Sequence, residues 1–272
     1  NIGVLVKGVF NPFFSEMINI IGNKIHEYGY TMVLQQNDYT FDEDMDTLLG
    51  FIKEKRLQGV ICLGGNFIDI KEDSFDSVDA PIVLTSVNTI SDLGKSKYSS
   101  IGIDNKKSAY HATKYLMNLG HKNIAIMLGE KDDLGIGWWR LKGFKEALLE
   151  NYEVESAYKT TKNLLMEKPN ISAIFAISDA MAIGVAKAII DSGLKIGQDI
   201  SIIGFDGMNI SEFYNPSITT VKQPKELMAV MSINHLFDLI NKKEGHKHIL
   251  LDTELVKRES SKEVKIVENI LA

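Results

Sequence analysis

Short apolar runs and amphipathic stretches alternate along this chain, and the alternation starts over near its middle. Runs at Ile2–Val6, Thr31–Gln35, Gly59–Leu63 and Pro81–Thr85 are rich in β-branched residues and read as strands. Between them, Pro12–Tyr28, Asp42–Arg56 and, more weakly, Ile70–Val78 space their apolar residues at helical intervals. A strand that is apolar along its whole length is covered on both faces, which implies a parallel sheet with helices on either side. The second round has a strand at Ser100–Ile103, a helix at Lys106–Leu119, a strand at Asn123–Leu128, and helices at Trp139–Leu149 and Glu155–Glu167. It continues with a strand at Ser172–Ile177, a helix at Ala180–Ser192, strands at Ile200–Gly204 and Ser217–Val221, a helix at Lys225–Asn241, and final strands near Ile249–Val256. Gly29, Gly120 and Gly193 each follow a last helical turn, where a left-handed residue is wanted.

The two rounds meet near Asp104, and 272 residues with 44% hydrophobic content suffice for two cores. The expected architecture is α/β, with two doubly wound lobes bearing parallel sheets. In such sheets ligands bind beyond the carboxyl ends of the strands, so every strand-to-helix turn is a candidate site, and two lobes side by side would form a cleft.

Charge and composition narrow the function. Thirty Lys and Arg against 36 Asp and Glu give a net charge of −6, the wrong sign for a domain that holds nucleic acid by itself. The single cysteine, Cys62, lies in an apolar run and reads as a buried structural thiol, in keeping with a reducing compartment. No apolar run approaches the ~20 residues that span a bilayer, and the first residues lack the form of a signal peptide. Asn1 is not an initiator Met, so an upstream segment is expected.

Marked catalytic signatures are missing: there is no GxxxxGK[ST], HExxH, G-x-S-x-G or CxxC. Gly135-Ile136-Gly137 is a lone G-x-G. Asp42, Asp44 and Asp46 have the opening spacing of a calcium loop, but Thr47 and Lys53 stand where its glycine and bidentate Glu belong. These acids read as helix N-terminal charges, and His246 and His248 as solvated loop residues. No cofactor, no metal and no enzymatic reaction are expected. The polar residues left at strand ends are Asp179, Asp206 and Arg140, the last beside Trp138 and Trp139. Carboxylates and a guanidinium fork suit vicinal hydroxyls or a carboxylate ligand, and aromatic faces suit sugar rings or bases. Equally, Asp179 could cap a helix, Asp206 could hold the Asp206-Gly207 turn, and Arg140 could form a surface ion pair.

Over nearly its whole length the chain resembles the effector-binding part of the LacI/GalR family of bacterial transcription regulators, whose core is similar to periplasmic sugar-binding proteins. The resemblance is carried, in order, by Ile2-Gly3-Val4-Leu5-Val6, Asn11-Pro12-Phe13-Phe14, Gly59-Val60-Ile61 and Ser100-Ile101-Gly102-Ile103-Asp104-Asn105. It continues through Leu119-Gly120-His121-Lys122-Asn123-Ile124-Ala125, Arg140-Leu141-Lys142-Gly143-Phe144 and Ser178-Asp179-Ala180-Met181-Ala182-Ile183-Gly184. Ile203-Gly204-Phe205-Asp206, Ile218-Thr219-Thr220-Val221-Lys222-Gln223-Pro224 and Leu255-Val256-Lys257-Arg258-Glu259-Ser260 complete it.

The resemblance implies two Rossmann-like lobes of the periplasmic binding protein-like type I fold. Residues 1–103 plus 224–247 would form the N-terminal lobe, and 104–223 plus 248–272 the C-terminal lobe. Three interlobe crossings are expected near Gly102–Asn105, Val221–Pro224 and Lys247–Leu251, with Asp104 and Gln223 as hinge residues. It implies a small effector, most readily a sugar, in the interlobe cleft, contacted by Phe13, Trp138, Arg140, Ser178, Asp179 and Asp206, with Phe14 packing inward. A purely structural Phe13 stays open, as does a Trp138 that supports Arg140 from outside. It further implies a cytoplasmic homodimer, assembled largely through the first lobe and Asp42–Arg56. Operator DNA would be bound through a helix-turn-helix outside this chain, and the effector would act by its differential affinity for two lobe orientations. A solute-binding protein of a sugar transporter is the alternative on the same fold.

Several features depart from the family's habits. Ser178 stands where Asn is frequent, and Thr85-Ser86-Val87 where Ile-Asp-Arg is frequent. Near Asn151-Tyr152 the chain reads as short by a loop and a strand: either the protein is shortened there or residues are absent from the sequence, and absence is favoured because deleting a sheet strand would leave neighbouring backbone unpaired. The effector's identity, including a purine, its sign of action, the operator and any phosphoprotein co-regulator stay open.

Overall fold

The computed structural model describes residues 1–7, 12–37, 44–65, 67, 70–87, 94–128, 135–149 and 171–264. The helix expected at Glu155–Glu167, and the loop and strand read as missing near Asn151-Tyr152, fall outside the described residues.

The chain divides into two compact units. Unit 1 comprises residues 1–104, 134–136 and 224–252, and unit 2 comprises 105–133, 137–223 and 253–272. The main passages between them fall at Asp104–Asn105, Gln223–Pro224 and Asp252–Thr253.

Unit 1 contains β1 (Ile2–Lys7), α1 (Pro12–Glu27), β2 (Met32–Asn37), α2 (Asp44–Lys55), β3 (Gly59–Leu63), β4 (Ile82–Thr85) and β5 (Ser99–Ile103). Unit 2 contributes α3 (Asn105–Asn118), β6 (Ile124–Met127), α4 (Ile136–Leu149), β7 (Ala173–Ala176), α5 (Asp179–Asp191), β8 (Ser201–Asp206), α6 (Asn209–Phe213) and β9 (Thr219–Lys222). The chain then returns to unit 1 for α7 (Lys225–Ile240) and β10 (His248–Leu251), and ends in unit 2 with β11 (Glu254–Val256).

The unit 1 sheet has the order β10-β5-β4-β3-β1-β2, and every pair in it is parallel. The unit 2 sheet runs β11-β9-β8-β7-β6, parallel except where β11 lies antiparallel to β9. The central strands β3, β4 and β8 are buried at every residue, as strands covered on both faces must be. The core of unit 1 gathers Leu48 and Phe51 of α2 with Val60 and Leu84 of the sheet, and that of unit 2 gathers Ala182, Val185 and Ile189 of α5 with Ile202. Gly29, Gly120 and Gly193 take φ of +78°, +88° and +76° at the ends of their helices.

Two expectations are corrected. Residues 72–77 form turns rather than the helix expected over Ile70–Val78. The backbone bonds there run three residues back, from the Ser74, Asp76 and Val78 N–H groups to the Lys71, Asp73 and Phe75 carbonyls, while Ile70 and Phe75 anchor the loop in the core. Residues 248–251, assigned from sequence to the C-terminal lobe, form an edge strand of unit 1 in register with Ser100–Ile103, so the third passage follows them. The acids at the head of α2 are Asp44 and Asp46, and Asp42 is outside the described residues. Asp44 is tied to Lys7 at 2.7 Å and to Asn37 at 2.6 Å. Cys62 is buried, and burial pushes its thiol pKa well up, away from reactivity.

Candidate functional site

At the carboxyl ends of the unit 2 strands, charged side chains have been taken out of water. Arg140 is 5% exposed and Asp206 is 3% exposed. Arg140 lies in the second turn of α4. Its Nε donates to Asn105 Oδ1 at 3.0 Å, its Nη1 donates to the Ile177 carbonyl at the end of β7, and its Nη2 faces Asp206 Oδ1 at 3.7 Å. The guanidinium also lies over the Phe205 ring, 3.5 Å from its centroid. Three segments of unit 2, the start of α3, the end of β7 and the end of β8, therefore hold this cation. The α3 and α4 backbones approach closely enough for this because Gly143 has no side chain; a Cβ there would stand 2.0 Å from the Lys106 carbonyl oxygen.

Asp206 ends β8 with φ of +112°, followed by Gly207 at +72°. A non-glycine residue in that region costs of order 1–3 kcal/mol and persists only where its surroundings fix it. Here Gln223 Nε2 donates to Asp206 Oδ1 at 2.9 Å, and the Gln223 N–H donates to the Asp206 carbonyl at 3.3 Å. A second latch holds the residues that follow. Asp179 accepts from the Met208 N–H at 2.6 Å and from the Thr220 hydroxyl at 2.6 Å, and Thr220 in turn accepts from the Gly207 N–H at 3.3 Å. Asp179 is fully buried, and a Cβ on Gly204 would come within 2.2 Å of its Oδ1. Burial raises the Asp179 pKa above its ordinary value, against the pull of its hydrogen bonds and of the Arg258 charge.

Ser178 is the cap of α5, accepting from the Met181 N–H at 3.2 Å, so Asp179 is a latch and its neighbour the cap. Arg140 is a buried network residue and not a surface ion pair. Trp138 packs edge-on to Trp139 with centroids 4.9 Å apart, and the cation over its ring is Lys142 at 5.1 Å; Phe205 is the ring that lies against Arg140. Asp104 is exposed at the end of β5, whereas Gln223 is buried and bonded. In unit 1, Phe13 is 2% exposed and meets Phe14 edge-on at 5.3 Å, so both rings of the opening turn are buried. Thr85 is hydrogen-bonded to Ser232 at 2.7 Å, and Ser86 has φ of +56°. Of the two histidines expected to be solvated loop residues, His248 is exposed but lies in β10, where it bonds Ser100, and His246 is half-buried and bonds Ser99.

Asn105, Phe205 and Thr220 escaped the sequence reading as members of this network. Asn105 and Phe205 had a positional signal, since each adjoins a residue already singled out, whereas Thr220, inside β9, had none. No group of His, Cys, Asp and Glu able to hold a metal ion occurs among the described residues. Among the described residues no helix is long and apolar enough to cross a membrane.

Residues 113–261 match the family described as a periplasmic binding protein-like domain. The chain is 59% identical to the HTH-type transcriptional regulator MalR of Clostridium butyricum, over 96% of this chain and 81% of that protein. It is 30% identical to the HTH-type transcriptional repressor PurR of Edwardsiella ictaluri, over 96% and 79% respectively. Among solved structures it is similar to the transcriptional regulator CelR–cellobiose complex, at 26% identity and a TM-score of 0.74, covering 96% of this chain and 84% of that one. A buried arginine–aspartate pair at the strand ends of a two-unit α/β chain, together with these relatives, leads to one family: the chain belongs to the LacI/GalR transcriptional regulators, of which it is the periplasmic binding protein-like core.

Proposed function

We propose that this chain is the effector-sensing core of a repressor, and that its effector is a sugar held at the strand ends of unit 2 by Arg140 and Asp206. The observation that carries this reading is the buried guanidinium–carboxylate pair itself. Placing both charges out of water costs several kcal/mol, and a well-packed apolar pair would serve the fold as well or better. Such a pair offers donors and acceptors at fixed positions, as vicinal hydroxyls require. Phe205 supplies the ring face against the guanidinium, and Trp138, whose ring meets Trp139 and Lys142, and Phe13 of unit 1 are the proposed aromatic contacts of the effector. Ser178 and Asp179 act by holding the turns in place, the first as a cap and the second as the latch behind Asp206. Asp104 and Gln223, at two passages of the chain, are the proposed hinge. The disaccharide in the CelR complex supports a sugar, and the likeness to PurR makes a purine the first alternative to test.

The regulator would work in the cytoplasm as a homodimer whose operator affinity the effector shifts. The test is fluorescence anisotropy of the intact gene product on DNA from upstream of its own gene, with and without cellobiose, maltose or hypoxanthine. One of the sugars should change the affinity by about 5–150-fold, the usual range of allosteric coupling, and Arg140→Ala should keep DNA binding while losing the response. DNA binding that responds to hypoxanthine and to neither sugar would replace the sugar with a purine.

A further inference from the structure

We infer that unit 1 carries a second small-molecule site, at the amino ends of its strands, for a free amino acid with an apolar side chain. A cavity of about 410 Å³ opens there, within the ~300–1,000 Å³ of small-molecule sites. It is formed where the turn segment before β4, the residues leading into β5 and the carboxyl end of α7 come together. The proposed effector meets carboxyl strand ends of unit 2, so this site belongs to the other unit and to the other strand ends. Phe75 is buried against Tyr98, with ring centroids 5.4 Å apart, which holds the turn segment on the core and leaves Val78, Ala80 and Pro81 to line the cavity. From the other side of the sequence, α7 contributes Leu239 and then stops. The Lys242 N–H donates to the Leu239 carbonyl at 3.0 Å and the Lys243 N–H to the Asp238 carbonyl at 2.9 Å, with Lys242 at φ of +54°. Such a left-handed helix stop favours glycine or asparagine, and here it places a lysine in the cavity lining.

The walls decide half of the ligand. Phe75, Val78, Pro81, Ile82 and Leu239 present apolar surface, which suits a branched or aromatic side chain. The charges decide the other half, and most of them are already matched within the protein. Asp76 pairs with Lys97 at 3.0 Å, and Glu244 pairs with Lys247 at 2.6 Å and faces His235 at 3.4 Å. Asp79 and Lys242 are left, both exposed and both lining the cavity, and among the described residues neither is in an ion pair. One acid and one base beside apolar walls match a zwitterion: its ammonium donates to the Asp79 carboxylate, and its carboxylate accepts from the Lys242 ammonium. A sugar would use neither charge, and a simple cation or anion would use only one.

The experiment is a thermal-shift titration at constant ionic strength with L-phenylalanine, glycine, phenethylamine and 3-phenylpropionate, on the wild-type chain and on Asp79→Asn, Lys242→Asn and Ala80→Trp. L-phenylalanine should bind wild type about tenfold or more tightly than glycine does, as burial of its ring requires. Phenethylamine lacks the carboxylate and 3-phenylpropionate lacks the amine, and each should bind about 2–5-fold more weakly than L-phenylalanine, the scale of one exposed ion pair. Asp79→Asn should bring L-phenylalanine down to the level of 3-phenylpropionate, and Lys242→Asn to that of phenethylamine, with asparagine keeping the left-handed backbone at 242. Ala80→Trp, which fills the cavity, should abolish the response to L-phenylalanine and leave the response to cellobiose or maltose as in wild type; the two charge variants carry the test where the tryptophan does not fold. L-phenylalanine that stabilises no more than glycine, that binds no better than both single-charge analogues, or that binds unchanged in Asp79→Asn and Lys242→Asn would overturn the inference.

Discussion

Asp179 commits both carboxylate oxygens to the Met208 N–H and the Thr220 hydroxyl, so it reaches a ligand only through the turn it secures, where Asp206 sits with φ of +112°. Asp179→Ala leaves a buried N–H without a partner and should cost about 1–3 kcal/mol, read as a lower urea midpoint with an unchanged slope. Gly204→Ala, with its Cβ 2.2 Å from Asp179 Oδ1, should be destabilising through the same latch. If Asp179→Ala unfolds at the wild-type midpoint, the latch is not holding the turn. From sequence, Asp179 and Asp206 looked alike, each an acid at the end of an apolar run. What separates them is the direction of the side chain, which depends on Gly204 and Thr220 and has no local signature. Arg140 was legible as a candidate, but its burial was not, because the partners that bury it come from residues 105, 177, 205 and 206.

The edge formed by β5, β10 and α7 carries a histidine cluster with a consequence for pH. The Ser99 hydroxyl meets His235 Nε2 at 2.9 Å and His246 Nδ1 at 3.1 Å, and it accepts from the Lys247 N–H at 3.1 Å. With one hydrogen to give, Ser99 can donate to one ring nitrogen, which must be unprotonated, and accepts from the other, which must carry a hydrogen. His235 Nδ1 faces Glu244 at 3.4 Å, so the consistent pattern has Ser99 donating to His235 and His246 donating to Ser99. Burial lowers both histidine pKa values, opposed at His235 by Glu244 and Asp238 and reinforced by Lys247, and reinforced at His246 by His235 and His248. The unfolded chain therefore takes up these protons first. Stability is whole above the ordinary value of 6.5 and falls as pH drops below it toward the depressed folded values. The urea midpoint should be lower at pH 5.5 than at pH 7.5, and the difference should shrink in the His235→Asn, His246→Asn double variant. It should not vanish there, because burial lowers His121 as well. A midpoint difference of full wild-type size in the double variant would contradict this.

The same elements show what a sequence reveals about a fold. Strands covered on both faces are continuous apolar runs, so the α/β alternation was plain. The turn region at 72–77 was not, since Phe75 and Val78, three apart, mimic helical spacing while the backbone bonds there run only three residues back, as Asp76 N–H to Asp73 and Val78 N–H to Phe75. The sheet to which the four-residue β10 belongs is decided by backbone pairing with β5, on which side-chain pattern has no bearing.

For the whole molecule, ligand binding and stability are linked. A ligand that binds only the folded chain stabilises it by about 2.7 kcal/mol at 100 times its dissociation constant. Sedimentation velocity should find a species of twice the chain mass, as the proposed dimer requires, and a monomer at all practical concentrations would remove it. The central claim, a ligand held by Arg140 and Asp206, is tested most directly by hydrogen–deuterium exchange. The wild-type chain would be compared with and without cellobiose or maltose, whichever raises its melting temperature. Protection should concentrate in peptides covering residues 138–143 and 204–209, with Gln223 at the margin, and should disappear in Arg140→Ala. Protection that leaves those peptides unchanged while appearing elsewhere would contradict the account.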